Sequence, residues 1–174
     1  HNEQVMMFDK RDLDNSMLLW ADQVLCATNR NKINLNQQMR QAYGFLPEVQ
    51  LGDKIINTHN EWEICSNHEN PLTNGVIGKI TQLAMQDWEY PYWIRNEKLS
   101  IPVLIATISG DEEGEEFTFL PFDYTEIMTG QPSLSGKEEY TIMKRLEMAV
   151  PLHAYFGYAI TVWKAQGSEW NKVL

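Results

Sequence analysis

The hydrophobic period of this chain changes twice, and that double change limits its fold more than any single residue does. Gln23–Thr28 (QVLCAT) is a brief apolar run between polar flanks, the pattern of a short buried strand. The next stretch, NRNKINLNQQMRQAYGF, moves to helical steps, with Ile33, Leu35, Met39 and Tyr43 at spacings for one face. Thr28, Asn29 and Asn31 can cap its start, and Gly44 stands where a C-terminal glycine belongs. Strand, polar turn and helix make the unit of an α/β layer.

After Pro47 the pattern turns to β. The runs at 52–58 (GDKIINT), 74–83 (NGVIGKITQL, opened by an Asn-Gly turn), 102–109 (PVLIATIS) and 117–122 (FTFLPF) read as strands. Their close spacing predicts a small antiparallel β-barrel. A helix is expected from Ser135 to Met148, and α/β character returns at Leu152. The whole reads as one domain inserted in another. An irregular lead-in covers 1–20, an α/β domain is split between 21–46 and 152–174, and a β-barrel with an acidic helical and loop extension fills 47–151.

Hydrophobic residues make up 43% of the chain and aromatics 11%, enough for a packed core and too many for a disordered tail. No apolar run approaches the roughly 18–20 residues of a membrane helix, so no membrane partner is expected. The chain opens on His1 and a charged HNEQVMMFDKRD with no apolar leader, which reads as a cut inside a longer protein or a tag remnant. Cys26 and Cys65 lie in unlike contexts and imply no disulfide framework, so a reducing cytoplasm is the expected location.

The net charge of −10 argues at first against nucleic acid. Its distribution weakens that objection. Between Gly110 and Glu147 ten acids face three bases, whereas Arg30, Lys32 and Arg40 face only Asp22 between 21 and 45, and Lys164 and Lys172 face only Glu169 after 152. The acidity belongs to one segment, and the two α/β pieces are mildly basic.

Several constellations suggest chemistry and fail on spacing. In TGQPSLSGKEEY five residues separate Gly130 from Gly136 where a phosphate loop has four, and Glu138 stands where a Ser or Thr would reach magnesium. A turn before a helix is the better reading. His59, Cys65 and His68 lack a fourth ligand and paired spacing for zinc, and the acids from Asp111 to Glu116 are consecutive where metal-dependent nucleases gather ligands from separate elements. The turn at Thr28–Asn29, with Arg30 or Lys32 nearby, can grip a phosphate or simply cap a helix. Thr161, Trp163 and Lys164 supply a hydroxyl, a stacking face and a cation, the mixture that holds single-stranded nucleic acid.

The run GYAITVWKAQGSEWNKVL, from Gly157 to Leu174, resembles motif V of superfamily 1 DNA helicases of the RecD and Dda kind, the exodeoxyribonuclease V alpha-subunit type. Trp163 departs from the family's usual histidine: indole stacks on a base but does not accept a hydrogen bond as imidazole can. QVLCATNRNKINLNQQMR is similar to the strand and helix that these helicases carry earlier in the same domain, and LGDKIINTHNEWE with NPLTNGVIGKI is similar to the start of their Src-homology-3-like insert. Together these stretches cover about half the chain.

The resemblance implies part of a RecA-like (P-loop NTPase type) motor domain interrupted by a Src-homology-3-like barrel, in a bacterial or phage protein. Thr28, Asn29, Thr161, Trp163 and Lys164 would lie along single-stranded DNA. Gln166, Gly167 and Glu169 would border an ATP cleft, with Glu169 towards the ribose. The phosphate loop, the magnesium-binding acid and the arginine of motif VI have no counterpart in the sequence, so hydrolysis of ATP with magnesium would belong to the intact parent. Expected partners are an upstream RecA-like domain of the same protein and other replication or repair proteins. Two alternatives stand beside this reading: a non-catalytic β-barrel module that binds protein, and a metal nuclease using the run from Asp111 to Glu116.

Overall fold

A computed structural model describes residues 12–60, 71–110, 115–166 and 168–174. The protein is mixed α/β and divides into two compact units, His1–Phe45 with Tyr158–Leu174, and Leu46–Gly157. No helix among the described residues is long and apolar enough to cross a membrane.

The first unit opens with α1 (Asn15–Trp20), in a region expected to be irregular. Asp14 makes the helix possible, because its carboxylate accepts from the Met17 N–H at 2.9 Å. β1 (Val24–Cys26) leads through Thr28 into α2 (Asn29–Ala42). That helix ends where the sequence marks it: Gly44 takes φ +78°, and the Phe45 N–H returns to the Arg40 carbonyl at 2.9 Å. A last strand of this unit, Ala159–Thr161, lies parallel to β1 in the register Val24↔Ala159, Leu25↔Ile160, Cys26↔Thr161. On the other side of β1 the end of the chain adds a further parallel bridge, Gln23↔Val173, with Leu25 N–H donating to the Leu174 carbonyl at 2.7 Å.

The buried stripe of α2 is not the apolar one. Met39 is buried as expected, but its companions at helical spacing are Lys32, Asn36 and Arg40, while Tyr43 is 47% exposed. The helix lies beside short strands whose backbone needs polar partners, and that need overrides the apolar spacing.

The second unit holds β2 (Lys54–Asn57), β3 (Ile77–Tyr90), β4 (Leu99–Ser109), β5 (Glu116–Asp123), α3 (Tyr124–Thr129), α4 (Gly136–Arg145) and β6 (Ala154–Phe156), so the strand of the first unit is β7. The five strands form one antiparallel sheet in the order β5-β4-β3-β2-β6. The expected closed barrel is not formed among the described residues. β5 and β6 have no ladder between them, and one parallel bridge, Phe122↔Leu152, joins those two sides of the sheet. β6 also explains why the second unit extends past 151: Ala154–Phe156 pairs with β2 and so belongs to the sheet.

Ile55, Leu72, Ile80, Leu104, Ile108, Leu120, Phe122 and Leu152 are almost wholly buried in this unit. A second cluster of Tyr90, Leu99, Ile101, Val103, Leu134 and Ile142 joins the far end of the β3–β4 hairpin to α4. The sequence TGQPSLSGKEEY is a turn before a helix. Gly130 closes α3 in the left-handed region (φ +74°), and Ser135 opens α4 with a full capping box to Glu138. α4 ends at Arg145, three residues short of the expected Met148.

Candidate functional site

The parallel pairing of β1 and β7 brings two of the sequence-identified stretches to one end of one small sheet. Cys26 and Thr161 are partners at the carboxyl ends of their strands. Two residues beyond Cys26 stands Thr28, and directly beyond Thr161 runs a 3-10 turn, Val162–Ala165. In open α/β sheets this is the end where ligands bind, because the loops that leave parallel strands converge there.

Thr28 is occupied as a cap. Its Oγ1 accepts from the Asn31 N–H at 3.2 Å, and its carbonyl accepts from the Lys32 N–H at 3.0 Å. Asn29 and Arg30 are exposed on the first turn of α2, where free N–H groups and the helix dipole favour an anion. Lys32, the other cation considered for this turn, is 9% exposed and packs inward. Burial pushes the Cys26 thiol up, partly opposed by the positive charge of Lys32, so Cys26 is a protonated core thiol whose Sγ lies 3.3 Å from the Ile160 carbonyl.

On the other strand, Thr161 is half-buried, and Trp163 is 78% exposed, the highest among the exposed large hydrophobic side chains. Partial burial lowers the Lys164 ammonium from its ordinary value. Gln166 and Glu169 are exposed beyond the turn, and Gly167 lies outside the described residues. A hydroxyl, an open indole and a cation thus follow one another within four residues.

The residue that fixes this arrangement was not singled out by its sequence. Asn36 of α2 is 3% exposed, and its amide forms a two-way pair with Ala159: Nδ2 donates to the Ala159 carbonyl at 2.8 Å, and Oδ1 accepts from the Ala159 N–H at 2.9 Å. The second Nδ2 proton goes to the Lys32 carbonyl at 2.9 Å. Asn36 acts as an extra strand on the edge of β7. Gln23, fully buried, works on the β1 side of the same strand: its Nε2 donates to the Tyr158 carbonyl at 2.9 Å, which also accepts from the Val24 N–H at 3.2 Å. The one available signal was an amide at i+4 from Lys32 on a face that also carries Met39 and Arg40.

The remaining sequence candidates fall in the second unit or outside the described residues. His59 belongs to the second unit, where its ring lies tilted against that of His153 with centroids 4.4 Å apart. Cys65, His68 and the acids Asp111–Glu113 lie outside the described residues. Among the described residues no group of three His, Cys, Asp or Glu side chains is arranged to hold a metal ion. No protein-family model matches the chain, and no curated protein does.

Proposed function

We propose that this chain is part of an ATP-dependent DNA helicase or translocase. Its first unit would supply a stretch of the single-stranded DNA track and one side of an ATP cleft, as part of a RecA-like motor domain. The second unit would be the Src-homology-3-like insert of that domain. The observation that carries this reading is the register Cys26↔Thr161, which sets the Thr28–Asn29 turn beside the Thr161–Lys164 segment at the carboxyl ends of paired parallel strands. The motif V resemblance of Tyr158–Glu169 supports it independently.

The chemistry follows from the side chains. Exposed Trp163 offers a face for a base, Lys164 a cation for the adjoining phosphate, and Thr161 a hydroxyl. The N–H groups at the start of α2 provide a second phosphate contact. Gln166 and Glu169, both exposed, are the residues that would meet the nucleotide, with the Glu169 carboxylate accepting from ribose hydroxyls. ATP, with magnesium, supplies the free energy of phosphate hydrolysis when it is bound together with a second motor domain.

The test is the anisotropy of a labelled oligo-dT titrated with the full chain at several salt concentrations, wild type beside Thr161→Ala/Lys164→Ala. Wild-type affinity is expected to fall with salt by about 0.7 log units per log unit for each phosphate held. The double variant is expected to bind more weakly with a shallower slope. A double variant that binds and responds to salt as the wild type does would remove the strand track from this segment.

A further inference from the structure

His153 stands one residue before β6 with a carboxylate on each ring nitrogen. Nδ1 lies 2.8 Å from Glu126 of α3, and Nε2 lies 3.1 Å from Glu139 of α4. Its backbone is fixed, because the His153 carbonyl accepts from the Thr58 N–H at 3.0 Å and from the Thr58 hydroxyl at 3.1 Å. The charge of Asp123, at the end of β5, also acts on the ring, and the His59 ring is tilted against it. Tyr155 of β6 donates to the same Glu126 carboxylate. Tyr90 of β3 feels the charges of Asp123 and Glu139, while its hydroxyl is committed to the Ala149 carbonyl at 2.9 Å. The carboxylates of Glu126, Glu139 and Asp123 are all negative, so the two-sided bridge is that of an imidazolium, with one N–H for each neighbour.

The two bridged carboxylates are not equivalent. The Glu126 side chain is 4% exposed and that of Glu139 22%. A neutral ring keeps a single N–H and turns a lone pair to the other side. The proton stays on Nδ1, where the bond is shorter and the carboxylate has less water to replace it. Nε2 then faces the Glu139 carboxylate lone pair to lone pair. Burial first, and the charges of Glu126 and Asp123 after it, push the Glu139 carboxyl up, with His153 opposing them. Without the imidazolium, this carboxylate gains by moving into water.

α4 has little else to hold it. Of its ten residues only Ile142 is buried, in the cluster with Leu134, and Arg95 holds Glu138 at its first turn. α3 is secured without the second proton: Asp123 caps it, Gly130 closes it, and Glu126 and Ile127 are buried.

We infer that His153 is a pH-operated latch on α4: its Nε2 proton fastens Glu139, and loss of that proton frees Glu139 and lets α4 open while α3 stays in place. The latch lies wholly in the second unit and does not depend on the DNA reading.

Hydrogen exchange of the full chain, resolved by amide in NMR spectra and corrected for the intrinsic pH dependence of exchange, tests it. Protection of the α4 amides from Glu139 to Leu146 is expected to fall about tenfold as the pH is taken above 6.5 and through the raised His153 value, the equivalent of one charge-assisted hydrogen bond. The β3–β4 hairpin, and the Gly130 amide that reports on α3, are expected to stay slower than α4 at every pH. Glu139→Gln should abolish the α4 response, because an amide accepts from the imidazolium and donates to the neutral ring. Constant α4 protection above pH 6.5, α4 exchange no faster than that of the hairpin or of Gly130, or a wild-type response in Glu139→Gln would overturn the inference.

Discussion

Replacing Asn36 with aspartate changes one NH₂ to an oxygen and leaves the size of the side chain almost untouched, which isolates the hydrogen bonds from the packing. In the wild type both Nδ2 protons are used, on the Ala159 carbonyl at 2.8 Å and the Lys32 carbonyl at 2.9 Å. Aspartate can still accept from the Ala159 N–H but points an oxygen at two carbonyl oxygens. Ala159 is 0% exposed, so water does not replace the lost donor. Each buried backbone group left unpaired costs about 1–3 kcal/mol. Asn36→Ala abandons both groups of Ala159 and opens a small void, for a total of about 3–5 kcal/mol. Asn36→Asp should cost at least as much, because it adds repulsion. For a unit of this size each kcal/mol moves the midpoint by about 4–8 °C, so a fall of more than 10 °C is expected in either variant. Thermal unfolding followed by tryptophan fluorescence and far-UV circular dichroism measures it. An aspartate variant within about 0.5 kcal/mol of wild type would refute the reasoning, since it would show that β7 is held without the amide.

Two further outcomes follow from the second unit. Asp123→Ala should cost about 2–4 kcal/mol in urea unfolding, because the 3%-exposed carboxylate caps α3 through the Glu126 N–H at 3.1 Å and accepts from the Ser133 N–H and Oγ at 2.6 and 2.7 Å; a loss below about 0.5 kcal/mol would mean that water takes its place. His153 sits between the Glu126 carboxylate at 2.8 Å and that of Glu139 at 3.1 Å, with the negative charge of Asp123 acting on it and the His59 ring tilted against it. The hydrogen bond to Glu126 leads in raising it above its ordinary 6.5, against the cost of burial. That stabilisation is complete below 6.5 and is lost as the pH rises through the raised value, so the urea midpoint should fall as the pH is taken above 6.5 and flatten in His153→Gln; an equal slope in both proteins would place the titration elsewhere.

The parts of this fold that were legible in the sequence are those set by local chemistry. Thr28 before an Asn-rich helix, Gly44 after it, and Ser135 three residues before Glu138 each satisfy backbone groups within one turn, so residue type alone announces them. The extent of β3 was not legible. Its predicted end at Leu83 falls seven residues short of Tyr90, because Gln82, Ala84, Met85 and Gln86 are exposed and carry no alternation. The closed barrel failed for a related reason: strand count and spacing say nothing about whether β5 and β6 find each other, and among the described residues a single bridge, Phe122↔Leu152, ties β5 to the segment that leads into β6. At the candidate site, Thr161, Trp163 and Lys164 could be named from the sequence, but their nearness to Thr28 depends on a pairing between residues more than a hundred positions apart.

That pairing looks too small to hold. β1 and β7 are three residues each, and so short a ladder lets a strand slip. A slip of one residue would turn Thr161 to the opposite face and put Ile160 beside Cys26. The amides of Asn36 and Gln23 forbid it, because each bonds to one particular backbone unit: Ala159 on both its groups and Tyr158 on its carbonyl. The parallel bridge from Gln23 to Val173 pins β1 from its other side. The cost of burying two amides is offset only where every donor has an acceptor, and Asn36 meets that condition with both of its protons placed. Polar residues in the core of the first unit therefore do what strand length does in the second. Their geometric demands, rather than apolar contact area, determine where Thr161 stands relative to the Thr28 turn.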